Sequence, residues 1–416
     1  MEIRIEQDGG FIPVNRVVVR HAIVGILAPT MEGQASRDPL AIAFVIDRSG
    51  SMAGSPLKLA CEATAHAISR LHETDQFAIV LYDHEVEVLA TLSSADRGAR
   101  ADAIRKLRDV SARGTTDLAA GWELGARLVA EARSDGDLVR RCLLLTDGMA
   151  NEGVTDVDEL RARASRWRAD GVTLTTMGLG HEFDEVLLGS LADVGGGALR
   201  YVRTEDDLVK QFDEELGEAL EVVARDVELE LVFDDGVELT CLSPFDAHVR
   251  AGRMCVKIGD LVSQQELVLL IEATMKAERE GETLGFGACV RNSKESRMPP
   301  EGRAGWTAVN SKDCYDSRER SVVSVVVEHI VAATREAAVE HNLSSDFDGV
   351  ERALDLGDAS LERLQADSVT DAAREVLHEH RSSWSRPLPA EEAKEAYTRS
   401  FSLRRSRSED GSSRRR

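Results

Sequence analysis

Between residues 40 and 222 the chain alternates short apolar runs with stretches in which apolar positions recur every three or four residues. The runs at 41–46, 77–82, 142–146 and 172–177, with a shorter one at 199–202, are often β-branched. That is the pattern of parallel strands covered on both faces. Leu57, Ala60, Cys61, Thr64, Ile68 and Leu71 predict a helix over 56–72, and Leu118, Trp122, Gly125, Leu128 and Val129 predict one over 117–132. Further helices fit 101–109, 156–169, 183–193 and 205–222. Strand–helix alternation of this length predicts an α/β domain, doubly wound and Rossmann-like.

The flanks differ. Residues 1–39 read as short β segments, with Ile3 and Ile5 alternating against polar neighbours and a turn at Asp38-Pro39. From 226 to 315 short apolar runs return at 237–242, 254–258, 266–273 and 284–290, separated by Gly-bearing turns such as Asp235-Gly236. Such spacing predicts a β-sandwich. The first 39 residues would complete it, so that the α/β domain is inserted within the sandwich. Residues 318–402 turn helical, with Val322, Val326, Ile330 and Val331 on one face and Leu354, Leu361 and Leu364 following. The β-branched run 322–327 also admits a strand start. The last stretch, 403–416, is rich in Arg and Ser and is expected to be a disordered basic tail, with a basic arm for an acidic partner or for the protein's own acidic body as the functional alternative.

Composition narrows the function. A chain of 416 residues, 43% hydrophobic, supports two or three domains. Its net charge of −23 argues against nucleic acid as the ligand and fits a solvated, cytoplasmic surface. No run reaches the ~20 apolar residues of a membrane span, and the acidic, alternating N-terminus does not read as a signal peptide. The six cysteines at 61, 142, 241, 255, 289 and 314 form no C-x₂-C pair and read as free thiols.

The chemistry gathers where apolar strands end. Asp47, Ser49 and Ser51 follow the run 41–46 on a strand-to-helix loop. Gly114-Thr115-Thr116-Asp117 opens a helix, and Leu143-Leu144-Leu145-Thr146-Asp147-Gly148 is a buried strand ending in an acid. In an open α/β sheet, ligands sit outside the carboxyl ends of the strands. Asp47 and Asp147 offer two negative charges, and Ser49, Ser51 and Thr116 offer neutral hydroxyl oxygens. That donor set suits a hard divalent cation, Mg²⁺ first and Mn²⁺ or Ca²⁺ as alternatives, with a position left for an outside oxygen. Taken singly, each residue also fits a turn or helix cap. Asp83 reads as loop structure and Asp117 as a helix cap.

The order and spacing of these segments resemble the von Willebrand factor type A domain, with its metal-ion-dependent adhesion site D-x-S-x-S, then Thr, then a late Asp. The resemblance covers residues 40–222 and places Asp47, Ser49, Ser51, Thr116 and Asp147 as metal ligands, with Thr115 as the alternative to Thr116. It implies that a Glu or Asp of a partner protein completes the metal. The sequence of domains is also similar to bacterial cytosolic proteins with type A domains, which implies a MoxR-type AAA+ ATPase as a partner. A similar order occurs in coat-protein trunks of eukaryotic vesicle transport.

Enzymatic signatures are weak. Gly178-Leu179-Gly180 is an incomplete dinucleotide fingerprint, Gly195-Gly196-Gly197 lacks the basic residue of a P-loop, and His378-Glu379-His380 lacks zinc-protease spacing. No G-x-S-x-G elbow occurs, and no His lies in the three motif loops. The expectation is therefore a non-enzymatic, metal-dependent binding module or adaptor. The alternatives are a non-catalytic subunit of an ATP-driven chelatase or remodelling machine and, third, a metal-using hydrolase.

Overall fold

The computed structural model describes residues 1–31, 38–134, 136–148, 152–180, 183–291, 302–310, 318–364, 368–407 and 414. The chain begins with β1 (Glu2–Gln7), β2 (Phe11–Pro13) and β3 (Val18–Leu27). An α/β domain follows: β4 (Leu40–Asp47), α1 (Ser55–Arg70), β5 (Gln76–Tyr82), β6 (Val86–Ser94), α2 (Arg97–Leu107), α3 (Leu118–Ala130), β7 (Val139–Thr146), α4 (Val157–Ala169), β8 (Val172–Leu179), α5 (Glu185–Val194), β9 (Gly196–Val202) and α6 (Glu205–Leu220). Then come β10 (Val222–Phe233), β11 (Val237–Cys241), β12 (Asp246–Arg250), β13 (Arg253–Val262), β14 (Glu266–Met275), β15 (Thr283–Arg291) and β16 (Gly302–Val309). Four helices close the described chain: α7 (Arg320–Leu343), α8 (Phe347–Glu362), α9 (Ser368–Trp384) and α10 (Ala390–Arg404).

The central sheet has the order β6-β5-β4-β7-β8-β9. It is parallel except for β6, which returns antiparallel along β5. Every residue of β4 and β8 is buried, because helices cover both faces. One face holds α1, α2 and α6, with Phe44 stacked on Phe212. The other holds α3, α4 and α5, and the C-terminal helices extend that same core. Edge strand β6 is mostly half-exposed, which is why it left no apolar run in the sequence.

Strands before and after this domain share one sandwich. The smaller sheet runs β1-β3-β14-β11 and the larger β12-β13-β10-β15-β16-β2. Their inner faces meet around Val24, Leu229, Val256, Phe286 and Trp306. The sandwich grips the amino ends of the parallel strands: Arg225 on β10 donates to the Leu138 carbonyl (2.8 Å) and pairs with Asp137 at 2.7 Å. The carboxyl ends of β4 and β7 therefore face away from it.

The run 322–327 is helical, at the start of α7. The expected disordered tail needs correction at its start. Leu403 and Arg404 finish α10, Arg405 pairs with Asp193 at 2.8 Å and Arg407 with Glu218 at 3.3 Å, and the Ser406 hydroxyl donates to the Val268 carbonyl at 2.7 Å. Acidic partners on the body order these residues; of the remainder, 408–413 and 415–416 lie outside the described residues. Cys61, Cys142 and Cys289 are buried free thiols, Cys241 and Cys255 are half-buried, and Cys314 lies outside the described residues. Burial pushes Cys61 and Cys241 up to about 11 and Cys142 up to about 12, the behaviour of inert thiols.

Candidate metal centre

β4 and β7 are neighbours in parallel register, with Ile46 opposite Leu145. Asp47 ends β4 and Asp147 follows β7, so two acids emerge side by side from the same sheet edge. After Asp47 the chain makes a short 3₁₀ turn, Gly50–Met52, before α1 begins at Ser55. That turn folds the serines back over the strand end.

A chain of short contacts joins the side chains. The Thr146 hydroxyl donates to Asp47 Oδ2 at 2.7 Å, and the Ser49 N–H donates to Asp47 Oδ1 at 2.8 Å. The Ser49 and Ser51 hydroxyls are 3.2 Å apart, and the Ser51 hydroxyl donates to Asp147 Oδ1 at 2.8 Å. The Thr146 and Ser51 hydroxyl protons point at carboxylates, which leaves the lone pairs of Ser51 available to a cation. Burial pushes the Asp47 carboxyl above its usual range, against the opposing hydrogen bonds from Ser49, Thr146 and Tyr82.

The loop carrying Thr116 is fastened to this turn through its backbone. Gly50 N–H donates to the Gly114 carbonyl at 3.0 Å and Arg113 N–H to the Arg48 carbonyl at 2.7 Å. Gly114 has φ +71°, and a Cβ there would fall 2.0 Å from His84 Nδ1, so only glycine fits. Thr116 is buried, whereas Thr115 is exposed and its hydroxyl donates to the Glu152 carboxylate. Asp117 caps α3 by accepting from the Ala120 N–H at 3.0 Å.

Behind the turn lies a second buried acid. Asp83 Oδ2 accepts from Arg48 Nε and Arg113 Nε, both at 2.8 Å, and Oδ1 accepts from the Glu85 N–H at 2.8 Å. Burial opposes ionisation, but the Glu85 N–H and the Arg113 and Arg48 guanidiniums hold the Asp83 carboxyl below its usual range. Asp83 is thus the hub that ties the β5–β6 turn to the two motif loops. Arg48 also pairs with Glu87 at 2.9 Å, so its charge is directed to acids other than Asp47. Thr146 and Arg113 are structural partners that sequence reasoning left unassigned; Thr146 was visible as the residue before Asp147. His84, from the β5–β6 turn, packs against Gly114 and pairs through Nδ1 with Asp83 at 3.0 Å, an approach only the fold makes.

The donor set fits a hard cation. It comprises oxygen only, and the buried Asp47 is met by hydroxyls and an amide. Ser51 is exposed and Asp147 half-buried, and both border a groove of about 460 Å³ with Leu59, Leu179, Val202 and Arg203. A larger cleft of about 890 Å³ lies between α4, β9 and the sandwich, and none of the five candidate ligands lines it.

The von Willebrand factor type A domain family model matches residues 41–215. The chain carries a von Willebrand factor type A domain. The Escherichia coli K12 protein YfbK is 28% identical over 245 residues, 57% of this chain and 42% of YfbK. The Synechocystis protein sll0103 is 29% identical over 248 residues, 56% of this chain and 57% of its own length. The chain thus spans about half the length of these curated relatives. Pig inter-alpha-trypsin inhibitor heavy chain H2 is 22% identical over 377 residues, 85% of this chain and 40% of that protein. The solved structure of a von Willebrand factor type A protein from Catenulispora acidiphila superposes with a TM-score of 0.69 at 20% identity, covering 90% of this chain and 89% of that one. That coverage extends the shared fold beyond the type A domain to the sandwich and helices. Among the described residues no helix is long and apolar enough to cross a membrane.

Proposed function

We propose that this protein is a metal-dependent protein-binding module, an adaptor in a cytoplasmic complex rather than an enzyme. Asp47, Ser49, Ser51, Thr116 and Asp147 would hold the divalent cation, Mg²⁺ by donor chemistry, as a metal-ion-dependent adhesion site. The observation that carries this reading is the hydrogen-bonded run Thr146–Asp47–Ser49–Ser51–Asp147, which brings separate loops into one oxygen cluster at the carboxyl edge of the central strands. Burial of Thr116 beside the Gly50–Gly114 contact favours it over Thr115.

Each residue has a distinct task. Thr146 and the Ser49 N–H orient Asp47, and Ser51 orients Asp147. Exposed Ser51 marks the side from which a partner approaches. A bound divalent cation would supply an open coordination position for a carboxylate oxygen, and a Glu or Asp of the partner supplies that oxygen. The groove beside Ser51 and Asp147 would take the partner's flanking residues, with Arg203 on its wall.

Affinity capture of partners by wild type and Asp47→Ala, in Mg²⁺ and in EDTA, tests the reading. Capture that depends on both Mg²⁺ and Asp47 supports it; capture indifferent to both contradicts it. An AAA+ ATPase partner would show itself by co-purification and stimulated turnover.

A further inference from the structure

The outer face of the larger sandwich sheet brings together a thiol, an imidazole and a carboxylate that the type A site does not use. His248 on β12 and Cys255 on β13 are directly opposed in the antiparallel ladder. On the next strand Cys255 opposes Glu230, and Glu228 lies two residues away on the same face. One ligand atom each from Glu228, His248 and Cys255 lies within 4.8 Å of the others. Ligand atoms around a tetrahedral zinc ion are about 3.5 Å apart, so side-chain shifts of about an ångström among these half-buried and exposed groups close the set.

The surroundings prepare these groups. Arg291 Nη2 donates to Glu228 Oε2 at 2.6 Å and fixes that carboxylate by one oxygen. The Lys257 ammonium is drawn off by Asp246 at 2.9 Å, and Arg253 pairs with Glu230 at 2.6 Å. Arg291, Lys257 and Arg253 are thus each engaged with an acid. The donor types are those of a borderline-soft metal, unlike the all-oxygen type A site. Among the described residues the other comparable cluster, Asp83, His84 and Glu85, is an ion-pair hub whose Asp83 is held by two arginines.

We propose that Glu228, His248 and Cys255 form a second cation site, selective for Zn²⁺ over Mg²⁺, with a fourth position open to water or to a donor from outside the chain. All five residues of edge strand β12 are exposed, and it would be clipped to β13 and β10 by this metal. The site is independent of the type A reading.

Zn²⁺ competition against a chromophoric chelator, on tag-free, EDTA-stripped Asp47→Ala protein, tests it with the type A site disabled. One equivalent should bind, and His248→Ala or Cys255→Ser should each weaken it at least tenfold. Co²⁺ in place of Zn²⁺ should give a thiolate charge-transfer band that Cys255→Ser abolishes. Absence of stoichiometric Zn²⁺ binding, or binding unchanged in both variants, would overturn the proposal.

Discussion

Two buried aspartates end neighbouring strands of the same sheet and are treated in opposite ways. Asp83, after β5, is met by two guanidiniums and an amide, and its carboxyl is held below the usual range. Asp47, at the end of β4, is met by hydroxyls and an amide, and burial drives its carboxyl above that range. Asp83 has its counter-charge built into the fold. Asp47 has polar partners that orient it but offset only part of its desolvation. On the proposed reading, the difference separates an acid that organises loops from one arranged for a cation from outside the chain.

Removing each acid should therefore do different things. Asp83→Ala leaves buried Arg48 with only the half-exposed Glu87 as its acid and should cost about 3–5 kcal/mol in urea unfolding, equally in Mg²⁺ and EDTA. Its pH signature has a definite sign. With the folded pKa depressed, Asp83 contributes stability above the unfolded carboxyl value of about 4 and loses it as pH falls through the folded value. Asp83→Asn should flatten that acid limb. A metal-dependent effect of Asp83→Ala on stability would blur the contrast between the two acids.

The next effect belongs to Asp47. Mg²⁺ at about 100 times its Kd should stabilise wild type by about 2.7 kcal/mol, seen as a shift in the urea midpoint, and Asp47→Ala should abolish the shift. Thr146→Val removes the hydroxyl that donates to Asp47 Oδ2 and should cost about 1–3 kcal/mol in EDTA, with weaker Mg²⁺ binding besides. The smallest effect sharpens the ligand assignment. Thr115→Ala should change stability by less than about 0.5 kcal/mol and leave Mg²⁺ affinity intact, whereas Thr116→Ala should weaken it; calorimetry on the pair reverses the assignment if the outcomes swap.

Much of this was legible in the chain because the central parallel strands are dominated by buried apolar residues, as β4 shows from Leu40 to Ile46. The strand ends then located Asp47, Ser49, Ser51 and Asp147 on one edge. Strands β6 and β12 were illegible for the converse reason: as exposed edges they need no apolar period. The order at Arg405 and Arg407 depends on Asp193 and Glu218, about two hundred residues away in sequence, so local composition pointed to disorder instead. The Arg48–Asp83–Arg113 hub and the approach of His84 to Gly114 likewise exist only once loops are brought together. Glu228, His248 and Cys255 share no motif spacing; strand register alone assembles them.

On the proposed reading the five side chains at the carboxyl edge hold a divalent cation. Calorimetric titration of Mg²⁺ into EDTA-stripped wild type and Asp47→Ala protein tests it most directly. One equivalent should bind to wild type and none to the variant, with the variant still folded by circular dichroism. Equal Mg²⁺ binding by the two proteins, or none by either, would contradict it.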